Sequence, residues 1–245
     1  KIDSTWAILY DTASIAMRVQ LFRINHGDCP YLPDRTWVTH TFQVGNLSES
    51  LYESMMSQGW RRSGTAFYQN HCPGCNLCIP IRVPVDGFEP SKSQRRVLRR
   101  NTDVEVRVSP LEKEGEAFDL YHLYNTARHG EEETASRSGF RSFLFDSPID
   151  TRMMWYTVAD QLIGIGWVDV VPNGLSSVYF VFDPAESARS LGTFSAMKEI
   201  EAAAAMGRSW LYLGFYVPGC RKMSYKRRFR PFQLLQDGRW VDYPE

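Results

Sequence analysis

The sequence predicts an α+β fold with a mostly antiparallel sheet, in two parts that differ in regularity. The first 90 of the 245 residues carry prolines at positions 30, 33, 73, 80, 84 and 90, between short apolar segments. Three apolar segments then follow one another within 155–182, and a helical pattern over 190–205 leads to the apolar segment 210–216. We therefore expect two domains, 1–108 and 109–245, with the boundary within 105–115.

The N-terminal part is expected to form short strands and loops, because turn residues interrupt its apolar segments. After Pro90, Ser91 is a suitable N-cap for a helix over 91–101. At about 100° per residue, the cations of this helix fall within an arc of about 140°, opposite Val97 and Leu98. These cations are Lys92, Arg95, Arg96, Arg99 and Arg100.

The C-terminal part is more regular. A helical pattern runs through 118–124, and the acidic segment 131–133 is expected to be a mobile connection. The segments 155–159, 162–171 and 176–182 predict an antiparallel meander. Ser190 can cap a helix that carries Leu191, Phe194, Met197 and Ile200 and stops at Gly207, and 210–216 predicts a buried strand. Such a sheet suits acyl and aminoacyl transferases, although a fold does not determine a function.

The composition is that of an ordinary globular protein, with 43% hydrophobic and 23% charged residues. Because 28 Lys and Arg balance 28 Asp and Glu, a nucleic-acid partner would have to be held by a local patch. No apolar run approaches the roughly 18 residues that a membrane helix needs, so we expect no membrane partner. No secretory signal is recognisable, which makes the cytoplasm the expected location.

Three cysteines are closely spaced at Cys72, Cys75 and Cys78, with Pro73 and Gly74 allowing tight turns between them. Such a spacing favours convergence of thiolates on one metal, either zinc or an iron–sulfur cluster. Both want about four ligands. We choose Cys29 as the fourth, with His71 or His26 as substitutes, while three buried free cysteines are the structural alternative. Cys220 is expected to be a structural thiol.

Two dense positive segments occur in this neutral chain. One is the predicted helix over 91–101, and the other is the run Arg221, Lys222, Lys226, Arg227, Arg228 and Arg230, which contains no acidic residue. Lys and Arg neutralise phosphates, and Tyr225 and Phe229 among them are suited to stacking on bases. Each segment alone is as well explained by a solvated face, but the two together favour RNA.

Several chemistries lack their usual motifs. The chain has no Gly-x-x-x-x-Gly-Lys-Ser/Thr phosphate loop, no His-Glu-x-x-His and no Gly-x-Ser-x-Gly. The segment 189–194, where an acetyltransferase would hold the coenzyme A pyrophosphate, offers only Gly192 and carries the bulky Phe194. Coenzyme A is therefore expected to fit poorly.

Several longer motifs occur in order along 28–240. In the N-terminal part they are Cys29-Pro30-Tyr31-Leu32-Pro33, Gly59-Trp60-Arg61-Arg62-Ser63-Gly64, the cysteine segment 72–78 with Pro80-Ile81-Arg82, and the segment 90–96. In the C-terminal part they are Phe182-Asp183-Pro184, the segment 190–194, Tyr212-Leu213-Gly214-Phe215-Tyr216 and the segment 220–226. By these motifs the chain resembles the bacterial aspartate/glutamate leucyltransferases, relatives of the eukaryotic arginyl-tRNA-protein transferases.

The resemblance implies an N-terminal cysteine-containing domain followed by an acetyltransferase-like (GNAT) domain. It implies transfer of leucine from leucyl-tRNA to the N-terminal amine of proteins beginning with Asp or Glu, which marks them for degradation. No cofactor is required for this chemistry. In eukaryotic relatives the cysteines are associated with iron–sulfur or zinc binding, which implies a metal role for Cys29, Cys72, Cys75 and Cys78. The chain lacks the long insertion of the eukaryotic enzymes, which favours leucyl over arginyl transfer.

The reaction indicates which residues to look for. An aminoacyl ester is already activated, so attack by an amine needs proximity, a neutral nucleophile and oxyanion stabilisation rather than a covalent intermediate. Asp183 is our hypothesis for orienting or deprotonating the amine, with a turn residue before Pro184 as the alternative. An acidic acceptor asks for cations, and further candidates for substrate or tRNA binding come from the motifs. The acceptor candidates are Lys222, Tyr225 and Lys226, and the others are Arg62, Arg95 and Arg96.

Three alternatives remain open at this point. The donor is arginyl-tRNA, or the chain is a coenzyme A-dependent N-acetyltransferase, or it is a non-catalytic, metal-stabilised RNA-binding module. A transfer assay with leucyl-tRNA and arginyl-tRNA distinguishes the first from leucyl transfer, and tight binding of acetyl coenzyme A in a thermal-shift titration would favour the second. The third predicts that Asp183→Ala changes nothing except the fold.

Overall fold

A computed structural model describes residues 4–10, 16–129 and 136–243, which form two sheets flanked by helices. The strands are β1 Ser4–Tyr10, β2 Ala16–Asp28, β3 Thr36–Gln43, β4 Arg61–Ser63, β5 Ala66–Asn70, β6 Ile79–Pro84, β7 Glu105–Pro110, β8 Thr151–Val158, β9 Gln161–Val171, β10 Gly174–Phe182, β11 Trp210–Tyr216, β12 Phe232–Gln236 and β13 Arg239–Tyr243. The helices are α1 Glu49–Met56, α2 Lys92–Arg100, α3 Glu114–His129, α4 Arg137–Phe140 and α5 Leu191–Ala205. A π-helical turn spans Arg141–Phe145, and 3₁₀ helices span Pro184–Arg189 and Arg221–Arg228.

The first sheet has five antiparallel strands in the order β1-β2-β3-β5-β4. Phe42 of β3 and Phe67 of β5 are buried against Leu51, Tyr52 and Met55 of α1. Ser48 caps α1 by accepting a hydrogen bond from the Leu51 N–H. The sequence patterns predict short strands here but do not predict α1 or the 13-residue β2.

The second sheet has eight strands in the order β13-β12-β6-β11-β10-β9-β8-β7. Among the described strands of this sheet only β10 and β11 pair in parallel. β6 lies between β11 and β12, so residues 79–84 belong to the sheet of the C-terminal part. The expected boundary at residue 108 falls within β7, the edge strand of the same sheet.

Helices cover both faces of the eight-stranded sheet. Met154 and Tyr156 of β8 pack with Phe194 and Met197 of α5, whereas the alternate residues Met153 and Trp155 pack with Leu120 and other residues of α3 and α4. This division follows from the period of two along a strand. The mixed α and β fold with mostly antiparallel sheets is confirmed.

Individual helices agree with the sequence in most details. α2 begins after Ser91, whose side chain accepts from the Gln94 N–H in a capping box, and Val97 and Leu98 pack on the core. The meander and the strand Trp210–Tyr216 are confirmed. Ser190 occupies the predicted N-cap position of α5, but its side chain makes no capping bond, and it also ends the preceding 3₁₀ helix in a left-handed conformation with φ of 58°. Residues 131–133 lie outside the described residues.

In the described part of the chain, no helix has the length and apolar character needed to cross a membrane.

Candidate functional site

A cavity of about 700 Å³ opens between β10, β11, α5 and the 3₁₀ helix Arg221–Arg228. It forms where β10 and β11 stop pairing. Their register contains only Gly174–Trp210, Leu175–Leu211 and Ser176–Tyr212, although both strands continue. Ser177 of β10 and Gly214 of β11, beyond the last pair, line the cavity. α5 contributes residues one helical turn apart, since Leu191, Ser195 and Glu199 all line it.

Arg62 reaches the cavity wall from β4 but uses its guanidinium within the protein. It donates to both carboxylate oxygens of Asp169 in β9, at 2.9 and 2.5 Å, and to the Gly64 carbonyl at 2.8 Å. Thr151 also donates to Asp169, at 2.7 Å. The two charged side chains are 1% and 0% exposed. Arg62 therefore joins the two sheets through a buried ion pair, and its predicted binding role stays a prediction.

Arg61, the neighbour of Arg62, is buried without a carboxylate. Its Nη1 contacts the Met56 sulfur at 3.3 Å and the Ser176 hydroxyl at 3.4 Å. Its Nη2 is buried and has no hydrogen-bond partner among the described residues. Because an uncompensated buried charge is costly, an unpaired guanidinium at a cavity wall indicates a place for an anion.

Lys226 supplies a second buried cation to the same place. Its Nζ donates to the Phe215 carbonyl at 2.9 Å. A Cβ built on Gly214, whose φ is +80°, would lie 3.5 Å from this Nζ and 3.2 Å from Arg61 Nη2. Burial, with the charge of Arg61 next, lowers the pKa of Lys226 to about 7. The two cations thus flank a position that has no side chain, and a bound carboxylate would favour protonation of Lys226.

Lys222 and Tyr225, the other two acceptor candidates, are exposed residues of the 3₁₀ helix and line the cavity. They lie at its rim, whereas Lys226 is 8% exposed. The structure therefore brings the three predicted acceptor residues to one cavity and adds Arg61, which the sequence analysis missed although it adjoins Arg62 in the same motif.

Glu199 of α5 is the acidic residue of the cavity wall among the described residues. Its Oε1 accepts from the Ser195 hydroxyl at 3.1 Å, and the Tyr156 hydroxyl donates to Ser195 at 3.1 Å. Its Oε2 is buried without a partner in the described part of the chain. Burial raises the pKa of Glu199 to about 7. A glutamate between Ala196 and Ala203 on a buried helical face was the available sequence signal.

Aromatic residues form another part of the cavity wall. Tyr124 of α3 packs against Phe182 of β10 with ring centroids 5.1 Å apart, and Tyr179 and Phe180 lie on the same strand. Arg128 donates to the Tyr124 hydroxyl at 2.5 Å. This wall is suited to an apolar side chain or to stacking on a base.

Asp183 follows Phe182 but is not one of the residues that line the cavity. Its carboxylate accepts from the Ala185 N–H at 2.9 Å and caps the 3₁₀ helix Pro184–Arg189. The structure gives it the position of the turn residue that was the sequence alternative. Its role with the amine stays a prediction.

The two positive segments lie side by side. Gln94 of α2 donates to the Arg228 carbonyl at 3.2 Å, and Asn101 at the other end donates to the Arg189 carbonyl at 3.0 Å, next to the cavity residue Ser190. We call the exposed cations of these segments the basic band. It consists of Lys92, Arg95, Arg96, Arg99 and Arg100 with Arg221, Lys222, Arg227 and Arg228. None of them has an ion pair within the described ranges.

The cysteine segment lies next to the cavity. Cys72 contacts the Val38 backbone, with its sulfur 3.5 Å from the Val38 nitrogen, and Cys78 packs with Tyr31, Phe215 and Cys220. In the described ranges no three His, Cys, Asp or Glu side chains are arranged to hold a metal ion. As placed, Cys29, Cys72, Cys75 and Cys78 do not form a metal site, and zinc or an iron–sulfur cluster stays a prediction.

Comparisons with known proteins identify the family of the chain. Residues 27–96 match the family model of the arginine-tRNA-protein transferase N terminus, and residues 116–236 match that of its C terminus. An aspartate/glutamate leucyltransferase from Marinobacter nauticus is 40% identical over 216 residues, covering 87% of this chain and 91% of the relative. Another, from Stenotrophomonas maltophilia, is 38% identical over 240 residues, covering 93% and 94%.

Solved structures share the fold at low sequence identity. The structure of FemX has a TM-score of 0.54 at 9% identity, and the match covers 98% of this chain and 88% of FemX. The C-terminal domain of a putative lysylphosphatidylglycerol synthetase from Agrobacterium fabrum has a TM-score of 0.51 at 12% identity, covering 94% and 84%. The family matches span most of the chain and the relatives agree over nearly their whole length. The chain therefore belongs to the arginine-tRNA-protein transferase family, among whose members it is similar to the aspartate/glutamate leucyltransferases.

Proposed function

We propose that this protein transfers leucine from leucyl-tRNA to the N-terminal amine of proteins that begin with Asp or Glu. The observation that carries the proposal is the pair of buried cations Arg61 and Lys226 in the cavity wall, neither of which has an ion pair within the described residues. The names of the relatives at 38–40% identity support the same reaction.

The cation pair fits the side-chain carboxylate of an acidic acceptor. Arg61 Nη2 has an unused donor, and a guanidinium with an ammonium binds a carboxylate by charge-assisted hydrogen bonds. Gly214 leaves the space between them open. Lys222 and Tyr225 at the rim are then placed to contact the acceptor backbone as it enters.

The remaining surfaces fit a charged tRNA. The basic band lies beside the cavity and would neutralise backbone phosphates near the 3′ end. The aromatic wall of Tyr124, Tyr179 and Phe182 suits a leucyl side chain. An arginyl side chain would need a carboxylate partner instead of this aromatic wall. Among the described residues that line the cavity, the acid that could serve an arginyl donor is Glu199.

A transfer assay tests the proposal. Purified protein is incubated with leucyl-tRNA, arginyl-tRNA or acetyl coenzyme A, and with peptides that differ only in an N-terminal Asp or Asn. We expect transfer from leucyl-tRNA to the Asp peptide alone. Transfer from arginyl-tRNA or from acetyl coenzyme A would show that the donor is not leucyl-tRNA. Absence of transfer from all three donors would favour a non-catalytic RNA-binding module.

We also propose that the product is marked for degradation and that the reaction takes place in the cytoplasm, where charged tRNA is available. Conversion of an acidic N-terminus to a leucyl N-terminus changes both its charge and its hydrophobicity, which is the kind of difference that a degradation receptor can read. Half-lives of a reporter with an N-terminal Asp, in cells with and without the gene, test this part.

The cysteine-containing N-terminal part is proposed to bind zinc or an iron–sulfur cluster through Cys29, Cys72, Cys75 and Cys78. Support comes from the position of Cys78, whose pKa is raised by burial and, to a smaller extent, by the nearby thiols of Cys72, Cys29, Cys75 and Cys220, of which Cys220 lies outside the cysteine motif. Metal analysis and visible absorption after anaerobic purification test it. Cys75→Ser is expected to remove bound metal, whereas Cys220→Ser leaves it unchanged.

A further inference from the structure

The carboxyl group of Glu199 is placed where a proton acceptor for the transfer reaction is needed. Glu199 is 2% exposed and lines the cavity together with Ser195, one turn earlier on α5. Ser195 and Tyr156 form a hydrogen-bond chain that ends on Oε1 and orients the carboxyl group. Oε2 makes no hydrogen bond of ordinary geometry within the described residues, although the Ser177 hydroxyl lies close enough to the carboxyl group to lower its pKa slightly. A buried carboxyl group with one anchored and one unused oxygen suits a ligand that brings an N–H donor.

The groups around Glu199 come from several elements. Tyr156 approaches from β8, Ser177 from β10 and Tyr225 from the 3₁₀ helix Arg221–Arg228, while Arg61 and Lys226 line the same cavity. Burial is the largest influence on its acidity and raises the pKa to about 7, against smaller opposing effects of Ser177 and Ser195. A pKa near the operating pH suits a general base.

The acceptor amine needs such a base. An α-ammonium group has a pKa of about 7.7–8.0, so most of it is protonated and cannot attack at neutral pH. Asp183, the carboxylate expected from the sequence, caps a 3₁₀ helix and is not one of the residues that line the cavity. Glu199 lines the same cavity as the cation pair that would hold the acceptor side chain.

Resting on the proposed function, we propose that Glu199 is the catalytic base that deprotonates the acceptor α-ammonium group through Oε2. The neutral amine nitrogen then attacks the ester carbonyl carbon and forms the C–N bond. On collapse of the tetrahedral intermediate the C–O bond to the ribose breaks. The leaving ribose oxygen takes the second proton of the nitrogen, while the first passes from Glu199 to solvent.

The test is the pH dependence of single-turnover leucyl transfer to an Asp peptide, measured for the unmodified protein and Glu199→Gln. Gln keeps the shape and an oxygen that accepts from Ser195. We expect the unmodified rate to rise through about pH 7, and the Glu199→Gln rate, lower by about 10²–10⁴ at neutral pH, to rise only through the amine pKa of about 7.7–8.0. Binding of leucyl-tRNA should not change.

A matched control is Glu201→Gln, because Glu201 lies on the same helix, is paired with Lys198 and is 56% exposed at its side chain. It should leave the rate and its pH profile unchanged. If Glu199→Gln folds poorly, Ser195→Ala is the second variant. Loss of the hydrogen bond to the carboxylate should raise the pKa of Glu199 and move the rise in rate to higher pH.

Three outcomes would overturn the inference: a Glu199→Gln rate within about threefold of the unmodified rate with the same pH profile, weakened leucyl-tRNA binding with that profile unchanged, or an unchanged profile in Ser195→Ala. The first would make Glu199 structural, and the second would make it an anchor for the donor α-ammonium group. Absence of transfer by the unmodified protein would instead refute the proposed function, so the two failures are distinguishable.

Discussion

Arg61 and Arg62 are neighbours in one short strand, both are buried, and they differ in what they bind. Arg62 has Asp169 at 2.5 Å and satisfies its donors within the protein. Arg61 contacts the Ser176 hydroxyl and the Met56 sulfur and lies near a second cation, Lys226. Its Nη2 has no hydrogen-bond partner in the described ranges. The comparison indicates that the charge of Arg62 stabilises the fold, whereas the charge of Arg61 is available to bind an anionic ligand.

The largest expected difference between the two is in stability. Arg62→Met leaves the Asp169 carboxylate buried without its cation, which should lower the free energy of unfolding by about 3–5 kcal/mol. Arg61→Met removes an uncompensated buried charge and should leave that free energy within about 1 kcal/mol or raise it. Urea unfolding of both variants measures this. Equal destabilisation by the two would mean that Arg61 is structural as well.

Gly214 tests whether a ligand occupies the space beside Arg61 and Lys226. Any side chain there has to adopt φ of +80°, which costs about 1–2 kcal/mol, and its Cβ occupies the space between Arg61 and Lys226. Gly214→Ala should lose that stability and, in addition, lower kcat/KM for an Asp peptide about tenfold, which is about 1.4 kcal/mol.

The control is Gly238→Ala, with φ of +74° and no atom within 4 Å of the added Cβ. It should show a similar loss of stability with unchanged transfer. If both glycine variants reduce transfer equally, backbone strain rather than occupation of the site is responsible.

The pH dependence of stability gives a smaller effect. The pKa of Lys226 is lowered from 10.5 to about 7 in the folded protein, so between these values the unfolded chain holds a proton that the folded chain lacks, and stability rises with pH. Below about pH 7 Lys226 is protonated in both the folded and the unfolded state, so the folded protein bears the full cost of burying its charge. Lys226→Met should therefore stabilise the fold by about 1 kcal/mol more at pH 6 than at pH 8. An equal effect at both pH values in urea unfolding would contradict the assignment.

The sequence predicts the parts of this molecule whose signals are local. The capping box of α2, the meander and the apolar strand β11 follow from patterns within a few residues. Ser190 precedes α5 as predicted but makes no side-chain cap, because it is also the left-handed end of the 3₁₀ helix before it, which the residue type alone does not reveal. α1 was missed because it is only eight residues long and is flanked by Gly, Asn and Ser, which indicate turns.

The site depends on contacts between segments that are distant in the sequence, and for this reason its pairing pattern could not be predicted from the sequence. Lys226 and Arg62 stand in motifs and were found, but only the tertiary structure assigns Arg62 to Asp169 and leaves Arg61 unpaired. The choice between Asp183 and Glu199 as the proposed partner of the amine also depends on tertiary structure. Both are acids in predicted helices or turns, and only the position of the cavity distinguishes them.

The most direct test of the account is the ratio of kcat/KM for leucyl transfer to Asp and Asn peptides, which differ by one charge. For the unmodified protein and for a control, Arg239→Met on exposed β13, the ratio should be about 30 or more, since loss of a buried charge pair costs about 2–5 kcal/mol. For Arg61→Met the ratio should fall at least about tenfold, because the acceptor carboxylate keeps only Lys226 of its two cationic partners. An unchanged ratio in Arg61→Met would contradict the assignment of this cation pair to the acceptor side chain.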